Sequence, residues 1–246
     1  MSPYILWAAG AAAVLFILRF RKIRNLLIVF LVFFLVWYGI MQRKRELLLH
    51  TYNFDYSELE IKEDTAMVEI NGGIPFFTEE EMSLPEGESY GDMDFSGRCS
   101  AAFAVIGPDM MPEAEREDIS EIRPSGWQGV RFDDLPLDGF LYHRCHLIAF
   151  ELTGENANEK NLITGTVFMN MNMTAYENLA ASYIRRTGNH VVYRSTPVFL
   201  EDEQLARGVL LEGRSQEDDE ICFCVFLPNI QPGYRISYDT GKASRG

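Results

Sequence analysis

Two histidines stand three residues apart in one short apolar stretch, LYHRCHLIAFEL, at residues 141–152. They are His143 and His146, and the whole chain contains only four histidines. An imidazole can take a proton near neutral pH, and it can also bind a metal ion. The stretch is therefore open to three interpretations: a general base, a metal site, or two histidines packed into a core.

An amide and a carboxylate follow at helical spacing. Asn170 and Glu177 are about two helical turns apart, so both should project from one face of a helix. Amide and carboxylate oxygens suit a hard cation such as Mg²⁺, which keeps most of its water ligands. With a histidine as general base, this set predicts hydrolysis of a phosphodiester, because the base activates water and the cation neutralises charge on the phosphate.

A different interpretation makes His143 and His146 a pair of transition-metal ligands. On a helix, residues three apart share one face, whereas on a strand they point to opposite faces. The stretch that begins at Gly139 starts as a strand, which disfavours the pair.

The elements that must position these residues predict an α+β domain with a central antiparallel sheet. The helix that holds Asn170 should begin near that residue and end at Thr187-Gly188-Asn189. The turn-rich segment 84–98 predicts a loop. Strands are predicted at 99–107, at 127–132, from 139, and in VVYRSTPVFL, ARGVLLEGRS and ICFCVFLPNI.

The N-terminal segment has a different character from the rest of the chain. Residues 1–50 contain seven Lys/Arg and one acid, a net charge of +6. The whole chain has a net charge of −14, so the other 196 residues have a net charge of −20. Two uncharged apolar runs predict transmembrane helices at 3–20 and 25–41, joined in a hairpin. The membrane anchor would then be residues 1–45, followed by a linker at 46–65 and one domain at 66–246. A single anchor preceded by an interfacial helix is the alternative; a cleaved signal peptide would need a basic start, which MSPY lacks.

Basic residues set the expected orientation. The hinge RFRKIR has four positive charges, and QRKRE after the second run has three and one acid. This small excess of positive charge predicts that the hinge lies in the cytoplasm and that the domain at 66–246 lies outside the cell membrane. A location outside the cell would permit a disulfide between Cys99 and Cys145. Cys222 and Cys224 should share one face of a strand and pack in the core.

The segment YHRCHLIAFELTGENANEKNLITGTVFMN, at 142–170, resembles the core of the DNA/RNA non-specific endonucleases, which have the ββα-metal (His-Me finger) fold. Their signature is Asp-Arg-Gly-His, followed later by a metal-binding asparagine. The likeness extends over roughly residues 66–242, including INGGIPFFTEEE and TGNHVVYRSTPVF. The resemblance is strongest to the membrane-anchored, competence-type branch of this family.

The resemblance implies a role for each matching residue. His146 would be the general base, and Arg144 the signature arginine that stabilises phosphate charge. Asn170 would bind the metal, Mg²⁺ with Mn²⁺ able to substitute, and Glu177 would act through the metal's water. On the same helix, Arg185 and Arg186 are candidates to bind the substrate phosphate.

Three positions depart from the pattern. His143 replaces the signature Asp, Cys145 replaces its Gly, and Gly165 stands where the family often has Gln. The loss of the carboxylate is the most serious of these, because an imidazole cannot copy it.

The sequence thus predicts a membrane-anchored, Mg²⁺-dependent endonuclease that cleaves DNA, with RNA open as a second substrate, and has no sequence preference. We expect activity to fall below about pH 6, where a histidine base becomes protonated. The alternative is an inactive relative that serves as an anchored nucleic-acid-binding or protein-binding module. It is favoured by the missing Asp and by the acidic body, since nucleic-acid binders usually present basic surfaces.

Overall fold

The computed structural model describes residues 21–48 and 55–246, and the chain divides into two units, 1–47 and 48–246. In the first unit, helix α1 runs over Arg21–Leu48 and contains the second apolar run. The prediction of a hinge at RFRKIR is wrong in its second half, because residues 21–24 belong to the helix. Lys, Arg and Ile are all compatible with a helix. Within the described residues, no helix is both long enough and apolar enough to cross a membrane. The predicted span at 3–20 lies outside the described residues.

A six-stranded antiparallel sheet forms the centre of the second unit. The strands are β1 Val68–Glu69, β2 Gly87–Tyr90, β3 Ala102–Ile106, β6 Val191–Val198, β7 Gly208–Ser215 and β8 Cys222–Pro228. They lie in the order β1-β8-β7-β6-β3-β2. The three consecutive strands predicted near the C-terminus are confirmed, and their Val, Tyr, Leu and Phe side chains suit a buried pleated surface.

A ββα unit packs against this sheet. Strand β4, Tyr142–His146, pairs antiparallel with β5, Leu162–Thr166, and the short helix α2, Phe150–Thr153, lies in the connection between them. Helix α3, Val167–Thr187, follows β5 directly. The main core lies between α3 and the central sheet, where Met173 and Ile184 pack with residues such as Tyr193.

Helix α3 begins and ends with recognisable caps. Thr166 is the N-cap, and its hydroxyl accepts a hydrogen bond from the backbone of Met169 at 3.1 Å. The helix therefore starts three residues before Asn170, which places that residue in its first turns. It ends where Gly188 takes the left-handed conformation (φ 73°), at the stop that the sequence predicts.

Several peripheral predictions are wrong. Segment 127–132 forms only an isolated bridge, from Arg131 to Phe140, and the predicted loop 84–98 contains strand β2. Strand β2 is polar and lies at an edge of the sheet, so its hydrophobic pattern is weak. A further hairpin pairs β9, Tyr234–Ile236, with β10, Ala243–Arg245.

Residues of the predicted linker, 46–65, take part in the core of the second unit. Tyr56, Leu59 and Ile61 pack against the outer face of the sheet near Leu210 and Phe226. The sequence does not predict this packing, because polar residues lie between them and only every second or third side chain is apolar.

The cysteines do not follow the sequence expectations in full. All four are free thiols; Cys99 and Cys145 are buried and not joined. Cys224 is buried as expected, but Cys222, the first residue of β8, is exposed.

Candidate active site

A cavity of about 790 Å³ opens between β4, α2, α3 and the loop that precedes β4. Strand β4 contributes His143, Arg144 and His146, and α3 contributes Asn170 and Glu177. The fold thus brings together the residues that the sequence singled out as base and metal ligands. The remaining lining residues that bear on chemistry are Arg116, Arg123, Trp127, Asp138, Phe140, Glu151 and Thr174.

Both histidines line the cavity, contrary to the expectation from strand parity. The β4–β5 ribbon has only two strands, and such ribbons twist strongly. His146 is also the last residue of its strand, so its side chain follows the chain as it leaves the ribbon.

The hydrogen bonds of His146 fix its tautomer. Its Nε2 lies 2.9 Å from the carbonyl oxygen of Asn156, which can only accept, so Nε2 carries the proton. Its Nδ1 lies 3.0 Å from Nη2 of Arg116, which can only donate, so Nδ1 is the acceptor. The ring is therefore neutral, with one basic nitrogen.

Burial keeps this ring neutral. His146 is 6% exposed, and desolvation is the main reason that its pKa falls to about 4. The hydrogen bond to Asn156 opposes this shift, and the Arg116 guanidinium adds to it. His146 is thus deprotonated, as a general base must be, across the whole neutral range.

Arg116 is a site residue that the sequence interpretation missed. It lies in the acidic segment MMPEAEREDISEIRPSGW, where an arginine flanked by carboxylates is expected to be solvated. The structure instead places its guanidinium on His146 in the cavity wall. The only signal in the sequence was that this segment precedes the stretch with the histidines, with 13 residues between them.

Asn170 contacts the other histidine. Its Nδ2 lies 3.4 Å from Nδ1 of His143, and Nε2 of His143 lies 3.5 Å from Oδ1 of Asp138. The carboxylate that the signature places at position 143 is thus present nearby, on a residue five positions earlier in the chain.

Glu177 is one of the few buried carboxyl groups. It is 8% exposed, and burial, together with the neighbouring Glu151, raises its pKa to about 8. Glu151 pairs with Arg185 at 3.7 Å, whereas Glu177 forms no ion pair with any described residue. A cation near the two acids would offset the repulsion between them. Thr174 and the Arg116 guanidinium lower the same pKa, but they do not cancel the rise.

Arg144 and Arg123 hold the loop that closes one side of the cavity. Arg144 donates to the carbonyl oxygens of Ile122 (2.7 Å) and Ser120 (2.5 Å), and its guanidinium stacks on Trp127 at 4.0 Å. Arg123 also donates to these two carbonyls. Neither these two arginines nor Arg116 forms an ion pair with any described residue, so all three present positive charge to the cavity.

The predicted substrate-binding arginines lie further out. Arg185 is 3.7 Å from Glu151, at the edge of the cavity, while Arg186 pairs with Glu220 and packs on the ring of Tyr183. Both side chains are 57% exposed, and neither lines the cavity.

Two buried asparagines hold the ββα unit in place. Asn161 bonds both the backbone N–H and the carbonyl of Ile148, which fixes the chain just after His146. Asn229 accepts from the backbone of Thr166 at 2.8 Å and donates to the carbonyls of Thr164 and Ala206. The start of α3, and with it Asn170, is thereby tied to the central sheet.

Two departures from the family signature compensate each other. Cys145 lies beside Gly165 on neighbouring strands, and a Cβ on Gly165 would overlap the Cys145 sulfur and the end of Met169. A larger residue at 145 therefore fits because position 165 has no side chain.

Comparison with known proteins gives the family. A profile of the DNA/RNA non-specific endonucleases matches residues 78–217, which is more than half of the chain. The chain belongs to this family. The predicted family and the prediction of a nucleic-acid hydrolase are thus confirmed.

Solved structures show the same fold as this DNA/RNA non-specific endonuclease. NucA from Streptococcus agalactiae without metal has a TM-score of 0.66 and 23% identity, with 78% of this chain and 92% of that chain covered. NucA with a magnesium ion bound gives the same score and identity over 84% and 95%. Sda1 nuclease with a bound zinc ion has a TM-score of 0.56 and 28% identity over 65% and 81%. These likenesses confirm the α+β fold of the endonuclease domain.

Proposed function

We propose that this nuclease is a Mg²⁺-dependent endonuclease that hydrolyses DNA without sequence preference, with His146 as general base and RNA open as a second substrate. The observation that supports it best is the state of His146. The ring is neutral, its Nε2–H is fixed on Asn156, and its basic Nδ1 lies in the wall of the cavity that also contains Asn170 and Glu177.

The oxygen atoms in the cavity fit a hydrated hard cation. Asn170 supplies an amide oxygen, and Glu177 and Glu151 supply carboxylates that can order water around the ion. Across residues 21–48 and 55–246, no group of three or more His, Cys, Asp and Glu side chains is arranged to hold a metal, as a zinc site would require. Mg²⁺ needs few protein ligands because it keeps its waters, and Mn²⁺ can substitute for it. When bound, such a cation neutralises charge on the phosphate oxygens. The magnesium ion in NucA of S. agalactiae is consistent with this choice.

The residues of this chain then have distinct tasks. Nδ1 of His146 takes the proton of the attacking water, which requires that Arg116 release this nitrogen, since one lone pair accepts one hydrogen bond. The guanidinium that leaves Nδ1 is well placed to bind a phosphate oxygen through two N–H groups. Arg144 acts indirectly, because it fixes the loop at Ser120 and Ile122.

The absence of sequence preference is supported by the kind of group that the cavity offers. Its positive charges come from Arg116, Arg123 and Arg144, and a guanidinium group that binds a phosphate, as proposed for Arg116, does not distinguish bases. Cleavage sites mapped on several DNA fragments and one RNA should be spread evenly; a preferred base at the cut would contradict the proposal.

The test of the mechanism is plasmid cleavage by the purified full-length protein in Mg²⁺ and in excess EDTA. We expect cleavage in Mg²⁺, none in EDTA, and a loss of at least roughly 10²-fold in His146→Ala. His190→Ala is the matched control, because that histidine lies outside the cavity between Glu86 and Glu217 and should leave the rate unchanged. Full activity in EDTA or in His146→Ala would overturn the mechanism, and DNA retention without cleavage would favour the inactive binding module.

We further propose that residues 1–45 hold the nuclease at a cell membrane with the domain outside. Two apolar runs and their basic flanks support this proposal. The side chains of residues 25–39 in α1 are all exposed within their own unit, Leu26 and Phe33 by 70% and 72%. Carbonate extraction of membranes, with protease treatment of intact cells, tests both parts; a freely released or protease-protected domain would contradict them.

A further inference from the structure

We propose that Asp138 and His143 form a positioning pair that turns the amide of Asn170 so that its oxygen faces the metal. Neither residue touches the cation or the substrate in this proposal; both act through Asn170. The inference rests on the proposed function, because it takes Asn170 to be the metal ligand.

Three side chains form a chain of contacts along the cavity wall. Oδ1 of Asp138 lies 3.5 Å from Nε2 of His143, and Nδ1 of His143 lies 3.4 Å from Nδ2 of Asn170. The Asn170–His143 distance is at the long limit of a hydrogen bond, and at 3.5 Å from Asp138 the Nε2 of His143 makes no hydrogen bond. Catalytic contacts are often this long before a ligand binds. All three residues line the same cavity.

The location of Asp138 is set by its own turn. Its carboxylate accepts the backbone N–H of Phe140 at 3.1 Å. Although 57% of the side chain is exposed, the carboxylate is therefore held beside the ring and does not swing freely in solvent.

The state of the His143 ring follows from this neighbour. Its Nε2 is buried and makes no hydrogen bond to any described residue, while Oδ1 of Asp138 lies 3.5 Å away. A buried N–H without an acceptor is costly, so the Asp138 carboxylate favours the proton on Nε2. Nδ1 is then an acceptor, and it can only accept from the nitrogen of the Asn170 amide.

This arrangement decides which atom of Asn170 faces the cation. An amide has nearly the same shape in its two orientations, and only hydrogen bonds distinguish them. With the NH₂ group on His143, the oxygen is left for the metal. Without Asp138, the His143 proton can move to Nδ1, which attracts the amide oxygen and turns the nitrogen toward the cation.

The first experiment measures Mn²⁺ binding to the purified full-length protein by titration calorimetry, with no substrate present. We expect Asp138→Ala to weaken Mn²⁺ binding by roughly tenfold, the usual effect of removing a group that orients a ligand. Asp133→Ala is the matched control, because it removes the same charge from an exposed position in the same loop. An equal effect of the two variants would mean that only the charge matters and would overturn the pair.

A second experiment keeps the carboxylate but moves it. In His143→Asp, the new side chain can accept from the Asn170 amide directly, so Asp138 should lose its role. We expect Asp138→Ala to change Mn²⁺ binding by less than about twofold in this background, against roughly tenfold in the wild type, a coupling that a merely structural role would not produce. The same tenfold loss in both backgrounds would contradict the inference.

The outcomes separate this inference from the proposed function. If the wild type neither binds Mn²⁺ nor cleaves DNA in Mg²⁺, the proposed function itself fails. If the wild type does both and Asp138→Ala behaves like Asp133→Ala, only the positioning pair is wrong. Thermal melting of each variant shows whether it is folded; Asp138 is exposed enough that its replacement should leave the melting temperature within a few degrees.

Discussion

Nη2 of Arg116 lies 3.0 Å from Nδ1 of His146, so the only basic nitrogen of the proposed general base is covered by an arginine. The opposite side of the ring is fixed on the carbonyl of Asn156 at 2.9 Å. The site therefore holds a neutral base and a positive charge in contact, and a phosphate that attracts the arginine would expose the base in the same movement.

Replacement of Arg116 by alanine should lower kcat for plasmid cleavage by roughly 10²-fold, the usual cost of losing one donor to a developing negative charge. It should also raise the pKa of His146, because a nearby positive charge that disfavours its protonation is gone. Rates measured across pH 4–8 test both effects. Arg214→Ala removes a positive charge that is paired with Asp219 on the surface, and it should change neither. An unchanged rate in Arg116→Ala would remove this residue from the mechanism.

The pH dependence of the wild type should differ from the one that the sequence suggested. A general base works above its own pKa, and burial lowers the pKa of His146 to about 4. The acid limb of kcat/KM should therefore lie between about pH 4 and 5, below the pH 6 expected for an ordinary histidine. The measurement is single-turnover cleavage at saturating Mg²⁺ with the folded state checked at each pH. A midpoint at or above pH 6 would mean that His146 is more solvated than the structure has it.

Replacement of Glu177 by glutamine should separate stability from activity. The pKa of Glu177 is raised from its usual value to about 8, so its stabilising contribution is complete below about pH 4.5 and is lost as pH rises through 8. Without metal, at pH 8.5, Glu177→Gln should thus be more stable than the wild type, by on the order of 2 kcal/mol in urea unfolding. Its cleavage activity should fall, because a neutral amide orders water less strongly around a cation.

Glu113→Gln provides the control for that comparison, since Glu113 is exposed in a loop and its replacement should not change stability. Addition of Mg²⁺ should stabilise the wild type more than Glu177→Gln. Equal stability of the two proteins at pH 8.5, with and without Mg²⁺, would contradict the assigned state of Glu177.

Positions 145 and 165 should be coupled. Gly165→Ala should destabilise the fold by about 1–3 kcal/mol, because its Cβ would overlap the Cys145 sulfur in a fully packed core. Combination with Cys145→Gly should recover most of that loss. Urea unfolding of the two single variants and the double variant measures the coupling. Simple additivity of the two effects would show that the neighbours relax independently.

A buried ion cluster should dominate the stability of the segment before β2. Arg194 is 1% exposed and donates to Glu212 (2.7 Å) on β7 and to Glu81 (2.7 Å) in that segment. Arg194→Met should cost about 3–5 kcal/mol, because it leaves two buried carboxylates without a partner. Arg245→Met, which removes an exposed pair with Asp134, should cost less than about 1 kcal/mol. Comparable losses in both variants would contradict the special role of the cluster.

The sequence predicted the central elements of this nuclease because they are local and strongly patterned. The apolar strands β6, β7 and β8 and the capped helix α3 follow from composition and from end signals such as Gly188. The weak elements were missed for the opposite reason. Strand β2 is polar and exists only through its pairing with β3, and no pattern within its own residues predicts that pairing.

Within the site, the sequence by itself determined which residue types are present: the histidine at 146, the amide at 170, the carboxylate at 177. The helical period also placed Asn170 and Glu177 on one face, because a helix has a fixed period. The strand period did not place the histidines, since both line the cavity. Only the tertiary structure decided that Arg116 lies on His146 and that Asp138 lies beside His143. Those two residues belong to an irregular loop. Its path depends on long-range contacts such as those of Arg144 with Ile122 and Trp127. An irregular loop has no periodic sequence pattern, so the sequence does not predict which residues it brings into contact.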